Sequence, residues 1–478
     1  MTNRREFLLG AGATALALTA TASAAVRSAW ASDIAILRQA YMAMHPGLFR
    51  YLTPAQVDQG FAGLEAVWAS SPSRQEAYLA LSRFLSTIRC GHSYANFYNQ
   101  SDVIVSELFS GKTRLPFHFR WLDGQMVITA NGPQDLPRGT IVQSIDGEPA
   151  SDVLSSLLPY TRADGTNEAK RVAQLEVRGI DNYETFDIFY GLTRKRAGQP
   201  FRLVTDRGER TVEAIDLKQR QAQITAPGKN DGPQWELRYE AGDVARLIMP
   251  GWAVYNTKWD WKGWLDGVMA EIVSRQVKAL IVDLRDNEGG LDCGDEILAR
   301  CIDRPLQRTA YERRVRYRTA PKALDPYLDT WDPSFKDWGK DAVEIGNGFY
   351  KLIEEGGNSR APIMPKGPRF RGRLVVLVGP TNSSATFQFA SLVQSSRLGV
   401  LVGSPTGGNR RGINGGAFFF LRLPASGLEV DLPLIGTFPA TPQPDAGVIP
   451  DVTARESVTD IRDGVDSVLR VALATARG

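Results

Sequence analysis

With 478 residues, 43% of them hydrophobic and 23% charged, the chain has the composition of a folded protein of two or three domains, which excludes a disordered or fibrous one. A formal net charge of +3 is too small for a surface built to hold nucleic acid. Cys90, Cys293 and Cys301 make no disulfide framework, and His45, His92 and His118 have no ligand cluster around them, so neither a metal nor a cofactor is expected.

Residues 1–24 read as a leader: Arg4 and Arg5, then Glu6-Phe7-Leu8, an apolar run from Leu9 to Ala20, and the small residues Ala22-Ser23-Ala24. The pattern resembles a twin-arginine export signal. Its apolar run is short of the roughly 20 residues that span a bilayer, which makes an uncleaved anchor the weaker reading. No later segment approaches that length. The expectation is a periplasmic or secreted protein with no stable membrane insertion after leader removal.

From 32 to 110 the pattern is helical, with Ala77, Leu81, Phe84, Leu85 and Ile88 at spacings of three and four. Gly91 breaks the periodicity and leaves His92 just beyond a helix end. From 111 to 217 short alternating segments predict a β-rich domain, among them Phe117–Trp121, Met126–Ile128 and Thr140–Ile145 before Asp146-Gly147. The stretch from Pro137 to Gly147 resembles the middle of a PDZ module, which captures peptides by strand addition; it reads equally well as a β-hairpin with an Asp-Gly turn.

From 235 to 478 strands and helices alternate. The unbroken apolar runs Ala279–Val282 and Leu374–Val378 predict strands buried on both faces. A polar insertion containing Trp and Pro lies around 305–370. Phe418–Leu423 and Leu428–Leu434 read as a hairpin.

Four segments in this region carry chemistry. Asp283-Leu284-Arg285-Asp286-Asn287-Glu288-Gly289-Gly290 ends a buried strand in a turn whose glycine amides a ligand can approach, as a developing oxyanion requires. Thr381-Asn382-Ser383-Ser384-Ala385-Thr386 puts hydroxyls between a strand and a helix, where they serve as a nucleophile or as an ordinary helix cap. Gly403-Ser404-Pro405-Thr406-Gly407-Gly408-Asn409 and Gly447-Val448-Ile449-Pro450-Asp451 are loop chemistry taken singly.

In this order the four segments resemble the catalytic core of the C-terminal processing, or tail-specific, serine peptidases. That resemblance implies an α/β fold: a ClpP/crotonase-like core preceded by the helical region and the PDZ-like domain. It places the nucleophile on Ser384, which precedes Ala385, and the oxyanion hole on Gly289, Gly290 and the amide of Ala385. The well-known members use a Ser-Lys dyad with the lysine in T-x-G-K, but here that position is Asn409, which has no lone pair able to take a proton. A Ser-His branch that includes the tricorn core takes a histidine from a stretch similar to Gly91-His92-Ser93-Tyr94-Ala95. The resemblance therefore implies His92 as general base and Asp445 as the acid that orients it, with Ser93 assisting; His45 and His118 read as structural. The activity implied is hydrolysis of peptide or protein substrates through an acyl-enzyme. A noncatalytic relative that binds a peptide or other ligand, and an esterase for small substrates, stay open.

Overall fold

Helix α1 covers 30–44, α2 spans Pro54–Ala69 and α3 spans Arg74–Thr87. Thr53 and Ser73 each accept a hydrogen bond from the third residue of the helix they open, whose Gln56 or Glu76 side chain bonds back, so both termini are capping boxes. Their apolar faces bury Ile34, Leu37, Tyr41, Phe61, Leu64, Trp68, Leu81 and Leu85. Past α3, Arg89 adopts a left-handed φ of 57° and turns the chain into the loop that carries His92. This computed structural model describes residues 30–70, 72–133, 135–196, 198–224, 235–240, 243–255, 257–308, 311–353 and 361–478; the expected leader, 1–24, lies outside them.

The β-rich region forms a six-stranded antiparallel sheet from β1 (Phe119–Leu122), β2 (Gln125–Ile128), β3 (Ile141–Ile145), β4 (Glu148–Pro149), β5 (Phe201–Thr205) and β6 (Gly208–Val212). Asp146 and Gly147 join β3 to β4 with φ of 52° and 86°, the doubly left-handed turn that closes a two-residue hairpin.

The remaining strands are β7 (Glu236–Glu240), β8 (Val244–Ile248), β9 (Ala279–Asp283), β10 (Tyr311–Val315), β11 (Leu328–Asp329), β12 (Ala342–Gly346), β13 (Phe349–Leu352), β14 (Arg373–Val378), β15 (Val400–Gly403), β16 (Asn414–Arg422), β17 (Glu429–Pro439) and β18 (Val452–Thr453). One sheet has the order β18-β15-β14-β9-β8-β7, parallel except for the edge strand β7. Leu280 and Val282 pack with the helices Trp261–Ser274 and Ser384–Ser395, while Ala279 and Ile281 pack with Ser467–Arg477 on the other face. Covered on both sides, β9 has no polar face to present, hence its unbroken apolar run.

The second sheet has the order β11-β16-β17-β10-β13-β12 and draws on the segment around 305–370. That segment supplies four of the six strands. A single hydrophobic core joins Leu37, Tyr41 and Phe61 of the helices, Phe119 and Phe201 of the β-rich region, and Val315, Phe419 and Leu432 of the second sheet. Each fully buried apolar side chain contributes roughly 1.5–3 kcal/mol, so this shared core fixes the front of the chain against the rear. Polar contacts set the register. Tyr41 Oη donates to Asp431 O at 2.9 Å, Asp33 accepts from Ala425 N and Ser426 N at 3.0 and 2.7 Å, and Gln100 exchanges two hydrogen bonds with the backbone of Glu429.

Candidate active site

After β14 the chain turns through Gly379-Pro380 and reaches Ser384, the first residue of the helix Ser384–Ser395. Ser384 has a φ of 48°, a left-handed conformation that costs a non-glycine residue of order 1–3 kcal/mol unless its surroundings impose it. Buried Asn382 imposes it: its Oδ1 accepts from Gly379 N at 2.7 Å, and its Nδ2 donates to Leu284 O and to Asn287 O. Thr386 Oγ1 also donates to Asn287 O, at 3.1 Å. The capping alternative has no support, because Ser383 makes no side-chain cap and Ser384 Oγ has no hydrogen bond among the described residues.

Asn287 shapes the glycine turn opposite. Its Nδ2 donates to Met249 O at 2.8 Å and its Oδ1 accepts from Gly289 N at 2.9 Å. Gly289 and Gly290 have φ of 120° and 135°. A Cβ on Gly289 would lie 2.9 Å from Ser384 Cβ and 3.2 Å from Ala385 N, and one on Gly290 would lie 2.2 Å from Trp252 C, so both positions require glycine. One expectation is corrected here. The Gly289 amide is taken by Asn287, whereas the amides of Gly290 and Ala385 have no acceptor among the described residues.

Ser384, Ala385, Gly290 and Gly415 line one cleft of about 330 Å³. The His92 ring stands behind Gly415, its Cε1 and Nε2 3.6 Å from where a Cβ on that glycine would sit, and its centroid is 5.8 Å from that of Phe418. The imidazole from the front thus lies against Gly415, one residue of the cleft that Ser384 lines, and no hydrogen bond joins it to Ser384. Burial pushes the His92 pKa below its ordinary value; Asp164 opposes that shift, and Arg162, Glu288 and Lys170 act on it more weakly. His92 Nδ1 is buried and has no hydrogen-bond partner among the described residues.

Asp445 is not that partner. Its Oδ1 accepts from Asn409 Nδ2 at 2.6 Å and from Thr166 N at 3.1 Å, so the shorter aspartate side chain is spent on a neighbouring loop. Ser93 is fully buried against His45, whose Nε2 lies 2.9 Å from Ser93 Oγ; His45 Nδ1 accepts from Gly47 N, so Nε2 carries the proton. Burial pushes the His45 pKa down to about 3, which keeps that ring a neutral anchor. His118 packs against Gly179, away from this cleft.

Two charged residues near the site had no signal in the sequence. Lys170, on the helix Glu168–Gln174, is buried and donates to Glu288 Oε1 at 2.5 Å and to Thr381 O at 3.0 Å. It brings an amine close to the serine turn, but as an ion pair rather than a free base. Asp164 is the other. Among the described residues no His, Cys, Asp and Glu cluster suits a metal, the three cysteines are free, and no helix is long and apolar enough to cross a membrane.

A parallel sheet feeding a strained serine at a helix start, beside a glycine turn with an open amide, defines an α/β serine-type peptidase. Residues 243–428 match the model of peptidase family S41. Among solved structures it is similar to mature CPAF complexed with lactacystin, at 15% identity and a TM-score of 0.62 over 95% of this chain and 98% of that one. A second structure of mature CPAF gives 16% identity and a TM-score of 0.61 over 91% and 94%. The photosystem II D1 C-terminal processing protease gives 15% identity over 94% and 97%, at a TM-score of 0.39. At such identities the likeness is one of fold. No curated protein matches the chain.

Proposed function

We propose that this protein is an exported serine peptidase that cleaves peptide bonds through an acyl-enzyme, with Ser384 as nucleophile and His92 as general base. The observation that carries the reading is the strained Ser384, with an unbonded hydroxyl facing the cleft that the His92 ring backs. Strain at a hydroxyl that caps nothing is retained where it serves chemistry.

Ser384 Oγ attacks the substrate carbonyl as His92 Nε2 takes its proton, and the tetrahedral oxygen is held by the amides of Gly290 and Ala385. The imidazolium then protonates the leaving amine. Water, activated by the same ring, releases the acyl group. Burial favours neutral imidazole, the form able to start the cycle. Substrates are peptides or proteins, and the antiparallel sheet of β1–β6 is proposed to add a peptide strand at its edge, as a PDZ-like module does. The twin-arginine-like leader is the basis for placing the protein in the periplasm or outside the cell.

The test is labelling with a fluorophosphonate. Covalent capture of the wild type that is lost in Ser384→Ala supports the reading, and folded wild type that stays unlabelled returns the chain to a ligand-binding role.

A further inference from the structure

The His92 imidazole has a buried Nδ1 without a partner among the described residues, and the acid expected to orient it is engaged elsewhere. The carboxylate that does reach the site belongs to Asp164, only 2% exposed. Its Oδ1 accepts from the backbone amide of Gly91 at 2.9 Å, and its Oδ2 lies 3.4 Å from Ser383 Oγ. Those are the residues immediately before His92 and Ser384. One carboxylate therefore grips the chain on the approach to both the imidazole and the hydroxyl, although the two come from opposite ends of the sequence.

The loop around Asp164 is itself held from behind. Asn409 Nδ2 donates to Asp164 O at 3.2 Å and to Asp445 Oδ1, and Gly165 N donates to Arg89 O at 3.0 Å. Gly165 has a φ of 65°, and a Cβ there would lie 2.0 Å from Asp445 Oδ1 and 2.2 Å from Asn409 Nδ2. Asp445 and Asn409 thus brace the loop, and Asp164 faces the site.

We propose that Asp164 is the positioning carboxylate of this active site: it clamps the segments bearing His92 and Ser384 together and supplies the negative charge that favours the imidazolium formed during acyl transfer. The proposal rests on the peptidase reading above. The charges facing His92 are Asp164, Arg162, Glu288 and Lys170. Arg162 donates to Gly91 O at 2.7 Å and lies over the Tyr94 ring, while Glu288 is paired with Lys170 and Arg162. Around Asp164 stand Cys90, Arg50, Tyr51 and Lys170 besides His92. Asp164 is the carboxylate of this set with no ion pair of its own.

The experiment measures fluorophosphonate labelling rates across pH for the full chain and for Asp164→Asn and Asp445→Asn. Asparagine at 164 still offers Gly91 N–H an acceptor but carries no charge. The expected result is a maximal rate lowered about 10- to 100-fold and an acid limb moved to lower pH, because the group favouring the imidazolium is gone. Asp445→Asn should lose less than about threefold, with its acid limb unmoved, since its effect reaches His92 only through a loop. Wild-type rate and limb in Asp164→Asn, or a shifted limb in Asp445→Asn, would overturn the proposal. Should Asp164→Asn not fold, Asp164→Ser also removes the charge and should show the same shift. Absence of labelling in folded wild type would overturn the peptidase reading and this proposal with it, an outcome distinct from normal labelling in the variant.

Discussion

The side-chain amide of Asn409 donates to Asp445 Oδ1 at 2.6 Å, at the position where a lysine would complete a serine-lysine dyad. Both groups are spent on each other and on the loop around Asp164. A lysine placed there would find a carboxylate waiting and stay protonated. We therefore expect Asn409→Lys to leave the enzyme dependent on His92, with labelling of the double variant Asn409→Lys/His92→Ala no faster than that of His92→Ala alone. A restored rate would mean that the site can still run on an amine.

His92 should set the acid limb of the activity profile. Burial disfavours its charged form, so it becomes neutral below the ordinary pH of about 6.5, and activity should rise with pH and reach half its maximum under that value. His92→Ala should lower kcat/KM by about 10³-fold or more. Hydrolysis of a peptide substrate between pH 4 and 9 checks both, and a half-maximum above 7 would point to a different base.

Gly290→Ala should abolish labelling at Ser384, because the new methyl would meet the Trp252 backbone at 2.2 Å and displace the amide aimed at the oxyanion. Loss of one oxyanion donor alone costs about 10²–10³ in rate. The variant's thermal transition, compared with that of Ser384→Ala, separates a misplaced amide from an unfolded turn.

Asp431 ties the His92 loop to β17, accepting from Asn96 and Asn99 at 2.7 and 2.9 Å, and burial pushes its pKa up to about 7. In the unfolded chain it would titrate near 3.9, so between these values the folded state holds the extra proton. Stability should accordingly fall as pH rises from about 4 to 7, by at most about 4 kcal/mol from this group. Thermal unfolding across that range should show the slope in wild type and a flatter one in Asp431→Asn; equal slopes would remove Asp431 as its source.

Much of the rear half was legible in the sequence because its strands are buried on both faces and its turns are built from glycine and asparagine, residues whose roles are set by local backbone geometry. The apolar run of β9, the serine at the head of a helix and the glycine turn all lie where their patterns put them. The strands of 305–370 were obscured because three of them alternate poorly: β10 shows one fully buried position, β12 is exposed after Ala342, and β13 buries only Leu352. They stand as strands because β17 offers a long edge to β10, which pairs in turn with β13, and β13 with β12.

The sequence by itself determined the residue types of the site, the helical and alternating stretches, and the want of a lysine at 409. Only the tertiary structure decided that Asp445 is bonded to Asn409 and Thr166, which of two adjacent glycines has its amide bonded to Asn287, and that a buried lysine from the β-rich region sits beside the serine turn. Those choices depend on hydrogen bonds and burial between segments separated by 70 to 250 residues, such as Gly91 with Asp164 and Asn409 with Asp164. Local periodicity and motif spacing carry no information about which distant side chain a shared core will press against another.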